Sequence, residues 1–172
     1  MTTVFSAFER TAAAHGAKPF LEMPAWRLKL SYAGALEEIR VVAKRYQSRG
    51  YGPGHRVALK LETRPEFLLH FLALNSLGVS VLPLNPDYRE AELSYVLEHS
   101  EASAVIDAQT LEDPPAPGKP VGADECALLY TSGTTGKPKG CLLSNFYFLN
   151  VGQRYLDEGG LCAVRPGEER LA

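Results

Sequence analysis

Cysteine is scarce and poorly spaced in this chain. Cys126, Cys141 and Cys162 stand 15 and 21 positions apart, which fits neither a CxxC pair nor a zinc pattern. Their neighbours are apolar, so they read as buried or inert thiols of a reducing compartment rather than a disulfide frame. A surplus of one charge is missing too. The formal net charge is −2, and no run of five basic residues occurs, which excludes a nucleic-acid footprint. Histidines at 15, 55, 70 and 99 lack ligand spacing. His70 lies in an apolar stretch and reads as a satisfied core or interface residue. An unbroken apolar run is also absent. "FLLHFLALNSLGVSVLPL" (residues 67–84) is interrupted by His70, Asn75, Ser76 and Ser80 and punctuated by Gly78 and Pro83. It predicts a buried helix, a glycine stop and a buried strand, not a bilayer span. No basic segment with an apolar core opens the sequence, so no secretory signal is evident and a cytoplasmic location is expected.

What remains is ordinary for a folded domain. The 172 residues are 45% hydrophobic and 22% charged, enough apolar material for a core and a length suited to one domain or a piece of a larger one. "TTVFSAFERTAAAHG" predicts a helix capped by Thr2 or Thr3 and ended by Gly16. "PFLEMPAWRLKLSY" predicts two short strands about a proline turn. Ser31 is placed to cap a helix over 32–49, with Gly50 beyond its end. A rhythm follows: strand 56–61, a helix with Thr63 near its cap and Pro65 in its first turn, strand "VSVLPLN", helix "PDYREAELSYVLEHS", strand "ASAVIDA". Short aliphatic strands alternating with longer helices predict an α/β fold of βαβ units, with a parallel sheet flanked by helices.

The stretch "EDPPAPGKPVG" breaks this rhythm with four prolines and two glycines in 112–122. It predicts a loop, read as a linker between a first βαβ portion (1–111) and the start of a next subdomain (123–172). "ADECALLY" resumes as a strand. A helix is expected from Ser144, capped by Ser144 together with Asn145. Trp26 and Tyr147 read as core aromatics rather than substrate contacts.

Between that strand and helix lies "LLYTSGTTGKPKG" (128–140). Strand, glycine-rich loop, helix is an arrangement that supports phosphate sites. Gly133, Gly136 and Gly140 allow successive N–H groups to converge on an anion. Thr131, Ser132, Thr134 and Thr135 add hydroxyl donors, and Lys137 and Lys139 add positive charge. It is not a Walker loop, because Pro138 follows Gly136-Lys137 and Thr131 stands where the first glycine belongs. Nor is it GxGxxG. Composition alone leaves two readings open, a phosphate cradle and a solvated connection with no ligand.

"YTSGTTGKPKG" (130–140) resembles the signature of the adenylate-forming enzymes: acyl-CoA synthetases, adenylation domains of peptide synthetases, and luciferases. The resemblance extends to "LSYAGALEEIRVVAKRYQSRGYGPGHRVAL" and to residues 64–106, so it covers about residues 5 to 150. It implies part of the large N-terminal domain of an enzyme that joins a carboxylic acid to ATP, releases pyrophosphate, and passes the acyl group to coenzyme A. Loading of a carrier protein, or a truncated inert phosphate-binding domain, are the alternatives. The resemblance assigns the phosphates of ATP to Thr131, Ser132, Gly133, Thr134, Thr135, Gly136, Lys137 and, more weakly, Lys139. It implies magnesium with the ATP, and small-molecule acid, ATP and coenzyme A as partners. No catalytic side chain and no metal ligand are expected within these residues.

Two features depart from the family pattern. Ser144-Asn145 stands where many members have Thr-His or Ser-His. Members also run to several hundred residues, so the resemblance implies an N-terminal fragment lacking the adenine and ribose site, most of the acyl pocket and the C-terminal lysine. Such a fragment is expected to leave Phe146, Tyr147, Phe148 and Leu149 short of partners.

Overall fold

A computed structural model describes residues 2–122, 125–131 and 137–158. Helix α1 (Val4–His15) starts with a reciprocal cap. Ser6 N–H donates to the Thr3 hydroxyl at 3.0 Å, and Thr3 N–H donates to the Ser6 hydroxyl at 2.9 Å, which satisfies N–H groups that a helix end leaves unpaired. Strands β1 (Pro19–Met23) and β2 (Leu28–Ser31) form an antiparallel ribbon about a single 3-10 turn at Pro24–Trp26. Ser31 then caps α2 (Tyr32–Ser48), accepting from Gly34 N–H at 3.1 Å. Ala35, Ile39, Val42 and Tyr46 are its buried stripe, at the spacing of one helical face.

The alternating part follows the expected order: β3 (Arg56–Lys60), α3 (Pro65–Ser76), β4 (Ser80–Leu84), α4 (Glu90–Ser100), β5 (Ala104–Ile106), β6 (Ala127–Thr131). Between α3 and β4, Gly78 takes φ +72, a left-handed conformation that strains other residues, although a Cβ there would only touch Pro53. Glycine is the residue that accepts this turn cheaply. The sheet order is β5-β3-β4-β6-β7. The first four strands are parallel, and β7 (Lys139–Leu143) is antiparallel at the edge. Helix α5 (Asn145–Asp157) ends the described chain.

Side chains of successive strand residues leave the sheet on opposite faces. Val57, Leu59, Val79 and Val81 join α1, α2 and α3 in the larger core. Ala58, Leu82, Leu84 and Leu128 join Val96 of α4 on the other face. The sheet is therefore covered on both sides, as a parallel sheet requires. His70 is buried in the larger core, its Nδ1 2.7 Å from the Tyr46 hydroxyl. Among the described residues no helix is long and apolar enough to cross a membrane.

Several expectations need correction. Strand β7 was not anticipated: residues 139–143 extend β6 into a hairpin instead of leading directly into a helix. Helix α4 begins at Glu90, because Asn85 first turns the chain, its side chain accepting from Asp87 N–H at 3.0 Å. Thr63 lies next to the cap residue of α3, Arg64, and Pro65 opens the helix as expected, although no side chain caps it. Ser144 caps α5, accepting from Tyr147 N–H at 3.2 Å, but Asn145 does not share that role. Cys141 is exposed. Trp26 and Tyr147 are also exposed, so neither is a core aromatic.

Residues 112–122 carry no regular element, yet they are anchored. The Tyr51 hydroxyl donates to the Pro115 carbonyl at 2.8 Å, and Val121 N–H donates to the Gly54 carbonyl at 2.8 Å. Beyond them β6 and β7 enter the same sheet as β3 to β5. A buried ion pair fastens that return. Arg56, which opens β3, meets Glu125, just before β6, with Nη2–Oε1 at 2.7 Å and Nε–Oε2 at 3.1 Å. Arg56 also donates to the Ser100 carbonyl at the end of α4.

Candidate functional site

The hairpin β6–β7 carries the glycine-rich loop. Thr131 pairs with Lys139 where the strands part, and both are exposed. Lys137 is exposed beside them. Ser132, Gly133, Thr134, Thr135 and Gly136 lie outside the described residues. The flanks alone revise the sequence reading. The described flanks are two antiparallel strands, so β7, not a helix, follows the glycine-rich stretch in the chain. Any charge complementarity from the described flanks must come from Lys137 and Lys139.

Gly140 has a different place from the one expected. It lies within β7, opposite Tyr130. A Cβ there would meet Leu128 Cδ1 at 3.0 Å and Tyr130 Cζ at 3.1 Å. Its missing side chain makes room for the Tyr130 ring; it does not shape the turn.

Helix α4 holds both shoulders of the loop. His99 Nδ1 and the Tyr130 hydroxyl are 2.7 Å apart. Burial raises the Tyr130 pKa, and nearby Tyr95 adds to the rise while Arg56 opposes it. One helical turn before His99, Tyr95 stacks on the imidazole with ring centres 5.5 Å apart. Lys137 Nζ sits 5.3 Å from the centre of the Tyr95 ring, within cation–π range. The Tyr95 hydroxyl lies 3.4 Å from the Pro138 carbonyl.

The base of the hairpin is held by buried amides. Asn75, near the end of α3, donates to Cys126 Sγ at 3.3 Å and to Asn145 Oδ1 at 3.0 Å. It thus touches the chain just before β6 and just after β7. Asn145 Oδ1 also accepts Val4 N–H at 2.9 Å, and Asn75 Oδ1 accepts Phe5 N–H at 2.9 Å. The residue expected to cap α5 instead satisfies the start of α1. Nothing local in sequence signals these partners, which lie 51, 70 and 141 positions apart.

A cleft of about 1380 Å³ opens at the carboxyl ends of β3 and β4, walled by Met23, Trp26, Leu61, Arg64, Phe67 and Leu84. Ligands of open α/β sheets favour that edge. The Arg64 guanidinium is already engaged, 5.2 Å from the Trp26 ring centre and 2.8 Å from Glu66 Oε1.

A largely parallel sheet with helices on both faces, closed by an antiparallel edge hairpin flanked by lysines, defines the class as an open α/β domain. The family model described as "AMP-binding enzyme" matches residues 8–119 and 107–159. The chain belongs to that family, the adenylate-forming enzymes suggested by the signature. Malformin synthetase mlfA of Aspergillus tubingensis is 31% identical over 150 residues, covering 76% of this chain but 3% of that protein. The N-terminal domain of FACL13 from Mycobacterium tuberculosis has the same fold, with TM-score 0.73 and 23% identity over 84% of this chain and 45% of that one. The Klebsiella oxytoca NpsA N-terminal subdomain, solved in complex with 3-hydroxyanthranilyl-AMSN, gives TM-score 0.71 and 25% identity over 84% and 41% of the two chains. This chain therefore spans less than half the length of each of these three relatives.

Proposed function

We propose that this chain is the phosphate-gripping part of an enzyme that activates a carboxylic acid with ATP and then makes a coenzyme A thioester. The observation that carries the reading is that the flanks of the stretch 130–140 are paired strands at the carboxyl edge of the sheet, with Lys137 and Lys139 exposed beside them. In the first step a carboxylate oxygen attacks the α-phosphorus. A new C–O–P link forms, the bond to the β-phosphate breaks, and pyrophosphate leaves with the electron pair. Charge grows on the departing phosphates, and cations with hydroxyl and N–H donors fixed around them lower that barrier. Thr131, Ser132, Gly133, Thr134, Thr135 and Gly136 supply donors in this reading, Lys137 the main charge, and Lys139 a secondary one. In the second step the thiol of coenzyme A attacks the acyl carbon and AMP leaves.

Magnesium, which the resemblance implies, finds no group of three His, Cys, Asp or Glu among the described residues. A second reading sends the acyl group to a carrier-protein thiol. The 31% identity to a malformin synthetase favours it.

The test is made on the complete enzyme with the two half-reactions measured separately. Lys137→Ala should slow carboxylate-dependent pyrophosphate exchange by about 10- to 100-fold, the scale of a lost hydrogen bond to a charged group. Thioester formation from preformed acyl-adenylate should change little. Equal slowing of both would remove the phosphate role. Offering coenzyme A and a carrier protein in parallel then decides the acceptor.

A further inference from the structure

We infer that Tyr95 and His99 of α4 are positioning residues for this loop, setting its two shoulders before a polyphosphate arrives. The inference rests on the phosphate reading above, and it adds residues outside the signature. Three contacts carry it. His99 holds the Tyr130 hydroxyl at 2.7 Å on the entering strand. Tyr95 carries the Lys137 ammonium 5.3 Å from its ring centre and approaches the Pro138 carbonyl at 3.4 Å on the leaving side. The two rings stack on each other with planes 29° apart, so both shoulders rest on one aromatic platform.

The direction of the effect follows from the chemistry of the ammonium. A lysine side chain has large rotamer entropy, which binding must remove. Resting on the Tyr95 face restricts that freedom in advance. An ammonium has three donors, and one facing the ring leaves the others free. Lys137 is exposed, so its outward N–H groups remain available to a phosphate oxygen. Tyr95 therefore helps the grip and does not compete with it. The hydroxyl of Tyr95 contributes little at 3.4 Å. The ring is what matters, and Tyr95→Phe should keep the function.

The probe is sodium tripolyphosphate, titrated calorimetrically into the purified protein. Wild type should bind. Tyr95→Leu should raise Kd by about two- to fivefold, the range of one exposed cation–π contact. Tyr95→Phe should stay near wild type, because it keeps the ring face that carries Lys137. His99→Leu should also weaken binding, through release of Tyr130. If Tyr95→Leu fails to fold, NMR of the wild type decides. The Lys137 ε-protons should be shifted upfield by the ring and stay so at saturation with tripolyphosphate. Unchanged or tighter binding by Tyr95→Leu, or ε-protons that move to ordinary positions on binding, would overturn the inference. If Lys137→Ala weakens binding and Tyr95→Leu does not, only the platform falls. If wild type binds no tripolyphosphate, the phosphate reading falls with it.

Discussion

His70 makes the fold acid-sensitive in a way that one substitution can isolate. The ring is buried between α2 and α3, and Tyr46 meets it edge-on with centres 5.6 Å apart. Burial disfavours the imidazolium, and Arg45 and Arg64 add repulsion that Glu66 only partly offsets, so the pKa falls from 6.5 to about 4. The unfolded chain, with an ordinary histidine, binds a proton near 6.5 while the folded protein does not. Stability then rises with pH across this window. The contribution is fully present above about pH 6.5 and is lost as the pH falls towards the folded value. At about pH 5 this one group costs about 2 kcal/mol, and at about pH 4 about 3 kcal/mol. Against the 5–15 kcal/mol that typically holds a domain together, that is a large share.

Other groups also titrate in acid, so the measurement must be a difference. Urea unfolding of wild type and His70→Gln is compared between about pH 7 and about pH 4.5, where the linkage predicts a divergence of 2–3 kcal/mol. His70→Gln should be less stable at neutral pH, because the Tyr46 contact is altered, and should lose less on acidification. The ring proton of His70 followed by NMR should titrate near 4. Parallel acid dependence in the two proteins, or a His70 resonance titrating above 6, would refute the reasoning.

Two further substitutions test the frame of the hairpin. Gly140→Val should destabilise by about 1–3 kcal/mol through overpacking, since its Cβ would press on Leu128 and Tyr130; an unchanged thermal midpoint would show that the Tyr130 ring can move aside. Glu125→Ala leaves Arg56 buried without its partner and should cost about 3–5 kcal/mol by denaturant titration. Arg56→Met combined with Glu125→Leu should recover most of that loss, and a double variant as weak as the single one would show that the pair adds net stability.

Local signals in this sequence were legible where the chain carries its own instructions. Thr3 and Ser31 cap the helices they were expected to cap. Gly78 turns α3 into β4 where the apolar run suggested a stop. Strand β7 was missed because it has no pattern to read. Lys139 to Leu142 are all exposed, so burial imposes no alternation, and its opening Lys-Gly reads as loop. What makes it a strand is β6 alongside it, a fact of the sheet and not of the segment. The signature was legible as the mark of a family, but its supports on α3 and α4 were not. Asn75 and His99 look like incidental polar residues in helices until the fold brings Cys126, Asn145 and Tyr130 to them.

The supports fix the flanks of the glycine-rich stretch at a defined place on the sheet. Near its base the hairpin meets buried groups: Arg56 with Glu125, and Asn75 with Cys126 and Asn145. Burial makes such polar contacts costly to break, because each loss strands a partner away from water. Towards the loop the contacts change character. The gap left by Gly140 admits the Tyr130 ring, whose hydroxyl reaches His99, which stacks on Tyr95, which carries Lys137. These contacts are aromatic and partly exposed, and each is individually weak. The base therefore fixes β6 and β7, and the collar adds a resting place for Lys137 on the Tyr95 face.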